Sequence, residues 1–440
     1  MRSETPHVVS YSFMNWRWAY SFVLQPRHRR SKQLAAMKRL LPLSLTVLLA
    51  AGCSSIGTTE RHSGPWNLAA LKRAPSAEWG GRTGLVQEVY YQGEPYRGNA
   101  TRVFAYLGRP ATGKGPFPAM VLVHGGGGNA FRDWADHWAS SGYVALAMDT
   151  AGCGPNGPLP DGGPDQADTT KFRDFTDDEA RDMWTYHAVS AVIRGVSLLA
   201  TLPEVDRRRI GITGISWGGY LTCIVAGLDD RLKVAVPVYG CGFLGDDSFW
   251  KATSLARMPP DARDRWRRDF DPSQYLGGVN CPILFLNGSN DFAYPLDSYR
   301  ASYRLVPPGL RHVCVVLNLP HGHIWTFNEV DVFVDSVLRG SPPLPRLEQP
   351  KIDGDRVTAQ VISPVPVKEA ALHYTTDSGA WQTRHWQTVP GELKDNTIVA
   401  RLPNERPLVW YVAVTDERGL RASTEHEELP AAGSHVKATE

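Results

Sequence analysis

Residues 210–220 read IGITGISWGGY, and this stretch decides the fold class. Its first six residues form an apolar run typical of a buried strand, and the apolar residues 220–227 predict a helix after it. Gly214 and Gly218 flank Ser216 between the two. Glycines at these places allow a sharp strand-to-helix turn that holds a serine hydroxyl clear of the backbone. The stretch therefore predicts a serine nucleophile at the end of a sheet strand.

Further apolar or alternating runs on both sides of this stretch predict the other strands. They are residues 86–91, 101–107, 119–123, 143–148, 234–239, 283–287 and 313–319. Helical patterns lie between most of these runs, including one that opens at Asp177 and a last one over 329–338. This alternation predicts an α/β fold over residues 85–340, with a mostly parallel central sheet and helices on both faces.

Two other regions differ in pattern from the predicted sheet. Residues 245–277 are helical, Trp-rich and charged, and we expect a cap there. After the proline-rich linker 341–345, period-two alternation replaces the helical pattern. We therefore expect residues 346–428 to form a small Ig-like or fibronectin-like β-sandwich, followed by a polar tail, 429–440.

The N-terminal region has the pattern of a secretory signal. Lys38 and Arg39 precede a short apolar run that ends at Gly52 and Cys53, and the run is too short to span a bilayer. The ending LAAGC resembles a bacterial lipobox, although Ala50 stands where that pattern prefers leucine. The resemblance implies lipidation of Cys53 and a lipid-anchored place in the bacterial cell envelope, facing the periplasm or the exterior.

This interpretation divides the first 84 residues into three segments. We expect residues 37–52 to be a lipoprotein signal peptide and residues 53–84 to be a linker and lead-in. Residues 1–36 precede the charged start of the signal, so we expect them to lie outside the mature protein, which makes Met37 the true start.

The charge balance changes once the signal is removed. Residues 1–52 hold eight Lys or Arg and one acid, so the remaining chain has 39 basic and 44 acidic side chains, a net charge of −5. Nothing in that balance indicates a nucleic-acid partner. The expected membrane contact is the lipid alone.

Five cysteines remain after Cys53, and their spacing matches neither a zinc ribbon nor a Cys-x-x-Cys motif. We therefore expect no metal site built on them. An oxidising compartment would permit a disulfide. Cys153 and Cys241, both in glycine-rich loops, are the pair to test first.

A serine nucleophile needs a base and an acid that orients the base. The strand 283–287 leads to Asp291, the expected acid. The last strand leads to His321 and His323, and we favour His321 as the base because it stands immediately before a glycine; His323 is the alternative base. Nucleophile, acid and base then follow in the order expected for this chemistry.

The developing oxyanion needs hydrogen-bond donors. The turn at Ser216 directs the backbone N–H of Trp217 towards it. The second donor is expected from the glycine run after the strand 119–123, where we favour Gly126 and keep Gly127 as the alternative. This chemistry requires no cofactor and no metal.

These segments together resemble the group of α/β-hydrolases that contains acetyl xylan esterases, dienelactone hydrolases and prolyl oligopeptidases. The similarity lies in residues 124–129, 210–220, 281–295 and 320–323, and residues 275–282 are most similar to the acetyl xylan esterase branch. Dienelactone hydrolases proper use a cysteine nucleophile, from which Ser216 departs. The resemblance implies a serine esterase that deacylates a carbohydrate or a related small ester.

Two alternative functions remain at this point. One is a prolyl oligopeptidase-like serine peptidase. The other is a binding protein with a degenerate hydrolase domain, in which Trp381, Trp386 and Trp410 of the β-sandwich would stack on sugars, although a core position is the simpler interpretation for Trp410. In the hydrolase interpretation, Trp250 and Trp266 are expected to contact substrate.

Overall fold

The computed structural model describes residues 62–430. The predicted signal peptide, the proposed lipidation site Cys53 and most of the predicted tail lie outside the described residues. Within 62–430, no helix combines the length and the apolar character needed to cross a bilayer.

Between residues 62 and 340 the chain forms eleven strands. They are β1 (Ala77–Thr83), β2 (Val86–Gln92), β3 (Arg102–Gly108), β4 (Phe117–Val123), β5 (Val144–Met148), β6 (Cys153–Gly154), β7 (Gly157–Pro158), β8 (Val205–Ile215), β9 (Leu232–Val238), β10 (Ile283–Gly288) and β11 (Arg311–Val316). Nine form one sheet in the order β1-β2-β3-β5-β4-β8-β9-β10-β11, and β6 and β7 form a separate ladder. From β5 to β11 the neighbours are parallel, so the mostly parallel sheet is confirmed.

Helices pack against this sheet and against one another. The α-helices are α1 (Leu68–Leu71), α2 (Arg132–Ser140), α3 (Asp168–Lys171), α4 (Trp184–Leu199), α5 (Trp217–Leu228), α6 (Ser254–Arg257), α7 (Pro260–Phe270), α8 (Leu296–Arg304) and α9 (Glu329–Arg339). Helix α4 packs on α5, while His137 of α2 contacts Asp331 of α9 at 3.0 Å. The apolar strands β4 and β5 are buried between helices, as a parallel sheet requires.

The prediction of a helix that opens at Asp177 was wrong. A short 3₁₀ helix covers Asp178–Asp182, Met183 is extended, and α4 begins at Trp184. The acidic residues belong to the short helix, where the Glu179 carboxylate accepts the backbone N–H of Thr176 at 2.8 Å. Local capping therefore separates this turn from the long apolar helix.

The predicted start of the sheet at residue 85 was also wrong. Strand β1 lies within the expected lead-in 53–84 and pairs with β2, and Trp66 and Leu71 are buried in the main core. Most side chains of β1 are exposed or half-buried, so its sequence AEWGGRT carries no apolar alternation. Edge position explains why the strand could not be recognised from its pattern.

The C-terminal part contains ten strands within residues 346–430. They are β12 (Arg346–Leu347), β13 (Lys351–Asp353), β14 (Arg356–Ile362), β15 (Val367–Thr375), β16 (Gln387–Pro390), β17 (Glu392–Lys394), β18 (Thr397–Arg401), β19 (Leu408–Asp416), β20 (Arg421–Ser423) and β21 (Glu427–Leu429). One sheet has the order β12-β14-β18-β17 and the other β16-β15-β19-β20, with β13 and β21 added to β14 and β19. Val357, Ile398, Leu372 and Trp410, from both sheets, share one buried core.

The C-terminal part packs directly on the larger part. Leu296 of α8 and Val315 of β11 form a buried cluster with Trp381, Val409 and Tyr411. The same contact includes hydrogen bonds, since the backbone N–H of Val315 donates to Ser423 Oγ at 2.8 Å. We call this contact the junction.

The junction also contains an ion pair. Arg421 of β20 donates to the buried carboxylate of Glu329 at 2.7 Å, and Glu329 is the first residue of α9. Two sheets that the sequence predicted behind a stiff linker are therefore bound tightly to the last strand and last helix of the larger part.

The expectation that Trp381 and Trp386 are exposed was wrong, because Trp381 is buried and Trp386 half-buried, whereas the core position favoured for Trp410 is confirmed. Trp381 is 3% exposed and lies in the junction, and Trp410 is buried between the two sheets. Trp386 packs against Tyr411 with ring centres 5.3 Å apart. These rings are occupied by protein contacts, which removes the basis for a sugar-stacking surface on this part.

Cys153 and Cys241, the pair to test first for a disulfide, do not form one. All five cysteines within the described residues are free thiols. Cys241 is completely buried, and burial raises the pKa of its thiol well above the ordinary value. It behaves as a small core residue.

Candidate active site

Ser216 occupies the turn between β8 and α5. Its backbone has φ 59° and ψ −119°, a conformation that residues other than glycine rarely adopt. Its N–H donates to the carbonyl of Val238 at 2.9 Å, which fixes the turn to the neighbouring strand. A Cβ on Gly218 would lie 2.0 Å from the carbonyl oxygen of Val123, so the second glycine of the motif is required by close backbone packing.

The structure brings Ser216, His321 and Asp291 together. The Ser216 hydroxyl lies 2.9 Å from Nε2 of His321, and Nδ1 of the same ring lies 2.7 Å from Oδ2 of Asp291. These residues follow β8, β11 and β10, whose carboxyl ends meet at one edge of the sheet because the strands are parallel.

The geometry orients the imidazole for proton transfer. Asp291 is buried, and its Oδ1 accepts the N–H groups of Ala293 and Tyr294, each at 2.8 Å. Its other oxygen is left to accept Nδ1–H of His321. Nε2 then faces the serine as an acceptor, the arrangement of a Ser-His-Asp nucleophile.

His323 has a different partner. Its Nε2 accepts the backbone N–H of Gly125 at 2.9 Å, and its ring stands 5.0 Å from Phe131. Burial lowers the pKa of His323, and the neighbouring His124 adds to this effect. The ring is therefore favoured as a neutral acceptor that holds the glycine loop.

The glycine loop after β4 is fixed by buried His124. The Thr150 N–H donates to its Nε2 at 2.9 Å, so the other ring nitrogen carries the proton and donates to the Gly125 carbonyl at 2.7 Å. A Cβ on Gly125 would lie 2.8 Å from the Cβ of Ser216. The loop can pass this close to the nucleophile only because it lacks side chains.

Two N–H groups at this point are available to an oxyanion. Within residues 62–430, the backbone N–H groups of Trp217 and Gly126 donate to no protein acceptor. The N–H of Gly127, in contrast, donates to Oε1 of Gln166 at 3.2 Å. Of the two glycines that the sequence left open, Gly126 therefore has the free donor.

The two predicted substrate tryptophans lie in different environments. Trp250 packs on Trp217 with ring centres 4.4 Å apart, so it lies beside the nucleophile turn. Trp266 is 0% exposed, and its indole N–H donates to the carbonyl of Lys171 at 2.9 Å. The prediction that Trp266 contacts substrate was wrong, because Ala262, Trp266 and Phe270 share the inner face of α7 and pack into the core.

The predicted cap, residues 245–277, is helical but only partly a cover. Helix α7 joins the main core, whereas the segment before α6 lies against the site. Phe249 in this segment is 50% exposed and packs on Phe292, which is 44% exposed. Phe292 lies 5.0 Å from the ring of His321, so one exposed ring stands beside the base and a second packs on that ring.

Sequence reasoning missed several residues around the site. Tyr239 stands 4.6 Å from the ring of His321, and its place directly after β9, at the active edge of the sheet, was a usable signal. Gln166 and Lys171 come from the loop-rich segment 150–176, where no periodicity drew attention to them.

One group of side chains within the described residues is spaced closely enough to bind a metal ion, but it is part of the junction. Asp297, His426 and Glu428 have ligand atoms within 4.8 Å of one another. Arg300 already pairs with both carboxylates, at 3.5 and 2.5 Å. The arrangement is that of an ion-pair network, and it contains none of the triad residues.

Comparisons with known proteins relate this chain to esterases and other hydrolases. The acetyl xylan esterase (AXE1) family model matches residues 76–273. The acetyl esterase Axe7A of Xylanibacter ruminicola is 22% identical over 251 residues, which are 52% of this chain and 54% of that protein. The uncharacterised peptidase YuxL of Bacillus subtilis is 25% identical over 230 residues, 48% of this chain and 31% of that protein. The chain thus spans about half or less of these curated relatives.

A solved structure extends the likeness to the fold. The acetyl xylan esterase from Paenibacillus sp. R4 superposes with a TM-score of 0.50 at 22% identity, over 62% of this chain and 92% of that one. At this identity the likeness shows the α/β-hydrolase fold of the larger part.

Proposed function

We propose that this chain, an α/β-hydrolase of the serine esterase group, removes acetyl groups from a carbohydrate through an acyl-enzyme. The observation that carries the proposal is the hydrogen-bonded series from Ser216 through His321 to Asp291. The nearby glycine loop and the free N–H of Trp217 supply the second requirement, an oxyanion pocket.

The proposed reaction has two steps. His321 accepts the hydroxyl proton while Ser216 Oγ attacks the ester carbonyl, and the N–H groups of Trp217 and Gly126 stabilise the oxyanion. The alcohol leaves with the proton from His321. Water, deprotonated by the same imidazole, then attacks the acyl-enzyme and releases acetate and free serine.

Two exposed rings support a carbohydrate as the alcohol part. Phe292 stands beside His321 and Phe249 packs on Phe292, and the apolar face of a pyranose ring can pack on such rings. The match to the acetyl xylan esterase family model and the similarity to Axe7A favour the same substrate class.

The test compares substrates with the wild-type protein. We expect acetate release from acetylated xylan and from 4-nitrophenyl acetate, and labelling of Ser216 by a fluorophosphonate. Ser216→Ala should lose all three. Cleavage of dipeptide amides without ester cleavage would replace the esterase assignment by the peptidase alternative.

The aromatic pair has its own test. Phe292→Ala should lower kcat/KM for acetylated xylo-oligosaccharides more than for 4-nitrophenyl acetate, by about tenfold. Trp79→Ala removes an exposed ring on β1 and serves as the control. Equal losses on both substrates would show that Phe292 does not bind the sugar.

We propose further that the chain is a lipid-anchored envelope protein and that residues 346–428 form an Ig-like or fibronectin-like β-sandwich. The lipobox-like sequence before Cys53 supports the anchor, and a buried core shared by two sheets supports the sandwich. Metabolic labelling with palmitate should mark the wild type and not Cys53→Ser. Equal labelling of both would contradict the anchor.

A further inference from the structure

A short segment from the loop between β7 and α4 lies against the oxyanion side of the site. We call residues 164–172 the strap. Gln166 of the strap accepts the N–H of Gly127 at 3.2 Å, and Lys171 Nζ donates to the backbone carbonyl of Gln166 at 2.7 Å. Lys171 is therefore linked to the glycine loop through one intermediate residue.

The ammonium of Lys171 is buried among aromatic rings. The side chain is 6% exposed, and Nζ lies 4.7 Å from the ring centre of Trp217 and 5.6 Å from that of Trp184. Its partial charge compensation comes from Asp168, at 3.4 Å. Burial lowers the pKa of Lys171, whereas Asp168 and Asp165 oppose that shift.

Stability alone does not explain a cation in this position. Removing an ammonium from water costs free energy that ion pairing and ring contacts only partly offset. An apolar side chain of similar length would fill the same space without that cost. A costly buried charge beside a nucleophile turn is typical of a functional arrangement.

The indole of Trp217 connects Lys171 to the oxyanion pocket. A Cβ on Gly126 would lie 3.0 Å from Cδ1 of Trp217, so the indole edge lies along the backbone of Gly126. The backbone of Trp217 and that of Gly126 carry the two free N–H groups. The ammonium thus contacts the ring of one donor residue, and that ring lies along the backbone of the other.

The strap is also held by hydrogen bonds from the segment 245–277. Trp266 donates its indole N–H to the Lys171 carbonyl at 2.9 Å, and Ser254 Oγ donates to Asp168 Oδ2 at 2.6 Å. Through these contacts the segment 245–277 holds the strap in place. Its sequence did not indicate this role.

We propose that Lys171 is a positioning residue for the oxyanion pocket, acting on Trp217 through its ammonium and on the glycine loop through Gln166. The proposal rests on the serine hydrolase function proposed above. Lys171 should therefore accelerate attack by Ser216 without contributing to the binding of the free ester.

The test uses phosphonylation of Ser216 by a fluorophosphonate, with the maximal rate constant and the half-saturating concentration measured separately. In Lys171→Met we expect the rate constant to fall about tenfold or more while half-saturation stays within about twofold. Lys171→Arg should recover part of the loss because it restores the charge. Lys72→Met, which removes a surface lysine paired with Asp230, should match the wild type.

A second variant keeps the proposal testable if Lys171→Met does not fold. Gln166→Ala leaves the ammonium in place but frees the N–H of Gly127, and it should lower the same rate constant. Wild-type rates in Lys171→Met, or wild-type rates in Gln166→Ala where Lys171→Met does not fold, would overturn the proposal. A loss that appears only in half-saturation would also overturn it. Failure of the wild type to be labelled would instead contradict the proposed function.

Discussion

Ser216 shows at the scale of single residues why the nucleophile could be recognised from sequence. Its positive φ is a requirement of the turn itself, and the close approach of β4 to α5 requires a glycine at a fixed position after the serine. Steric demands that fall at fixed positions beside the nucleophile leave a recognisable sequence pattern. The nucleophile and its turn are therefore the part of the site that the sequence predicted most reliably.

Substitution of Gly218 tests this steric requirement. Gly218→Ala should lower the free energy of unfolding by about 3 kcal/mol or more, because its Cβ would stand 2.0 Å from the carbonyl oxygen of Val123. Gly277→Ala is the control, since a Cβ there meets nothing within 4 Å. Urea denaturation measures both, and equal midpoints would contradict the packing argument.

Separate substitution of the two histidines tests their roles. His321→Ala should reduce kcat by about 10³-fold or more, because Ser216 loses its base. His323→Ala removes the acceptor of the Gly125 N–H and should cost about tenfold through a looser glycine loop. Initial rates with 4-nitrophenyl acetate measure both. The opposite order of losses would exchange the two roles.

The sequence could not separate these histidines by itself. Both lie in one loop, and the local difference that favoured His321 is only that it precedes Gly322 whereas His323 follows it. What distinguishes them is contact with residues far along the chain, Asp291 in one case and Gly125 in the other. Tertiary contacts of this kind leave no local pattern.

At the scale of elements, the sequence predicted strands better than loops. Buried parallel strands are continuous apolar runs, and each predicted run of the larger part became a strand. The strap has no periodicity, and it matters through individual contacts of Gln166 and Lys171. The early start assigned to α4 failed because the extended Met183 interrupts the helix.

Helix α4 carries a group that should make stability depend on pH. Burial lowers the pKa of His187 to about 4, below the value of about 6.5 for an unfolded histidine. Between these values the unfolded chain binds the proton and the folded chain does not, so stability falls as the pH drops from about 6.5 to 4.

The expected outcome is a difference between variants. The fall in the free energy of unfolding from pH 7 to pH 4.5 should be smaller in His187→Phe than in the wild type, by about 2 kcal/mol. His385→Gln changes an exposed histidine and is the control. Chemical denaturation at both pH values gives the numbers, and parallel curves for wild type and His187→Phe would refute the assignment.

At the scale of the whole molecule, the C-terminal part covers the last strand of the large sheet. Strand β11 would otherwise present an edge to solvent, and uncovered edges favour aggregation. The sequence predicted a β-sandwich but placed Trp381, which lies buried in the junction, at the surface. Which face of a sheet is covered depends on a partner surface, and alternation alone does not reveal it.

Removal of the C-terminal part tests this role. A chain that ends at Gly340 should aggregate, because Val315 and Leu296 lose their apolar partners and β11 becomes an open edge. A chain that ends at Pro430 retains the junction and is the control. Size-exclusion chromatography with light scattering distinguishes the two, and a stable monomer ending at Gly340 would show that the cover is dispensable.

The ion pair between Glu329 and Arg421 constrains how the two parts of the chain can evolve. Glu329 opens the helix that follows the loop of His321, and its buried carboxylate is neutralised from the C-terminal part. A gene exchange that replaced only one part would leave a buried charge without its partner, close in sequence to the base. The two parts are therefore expected to evolve together, and chimeras between distant relatives should succeed only when the residues at positions 329 and 421 are transferred as a pair.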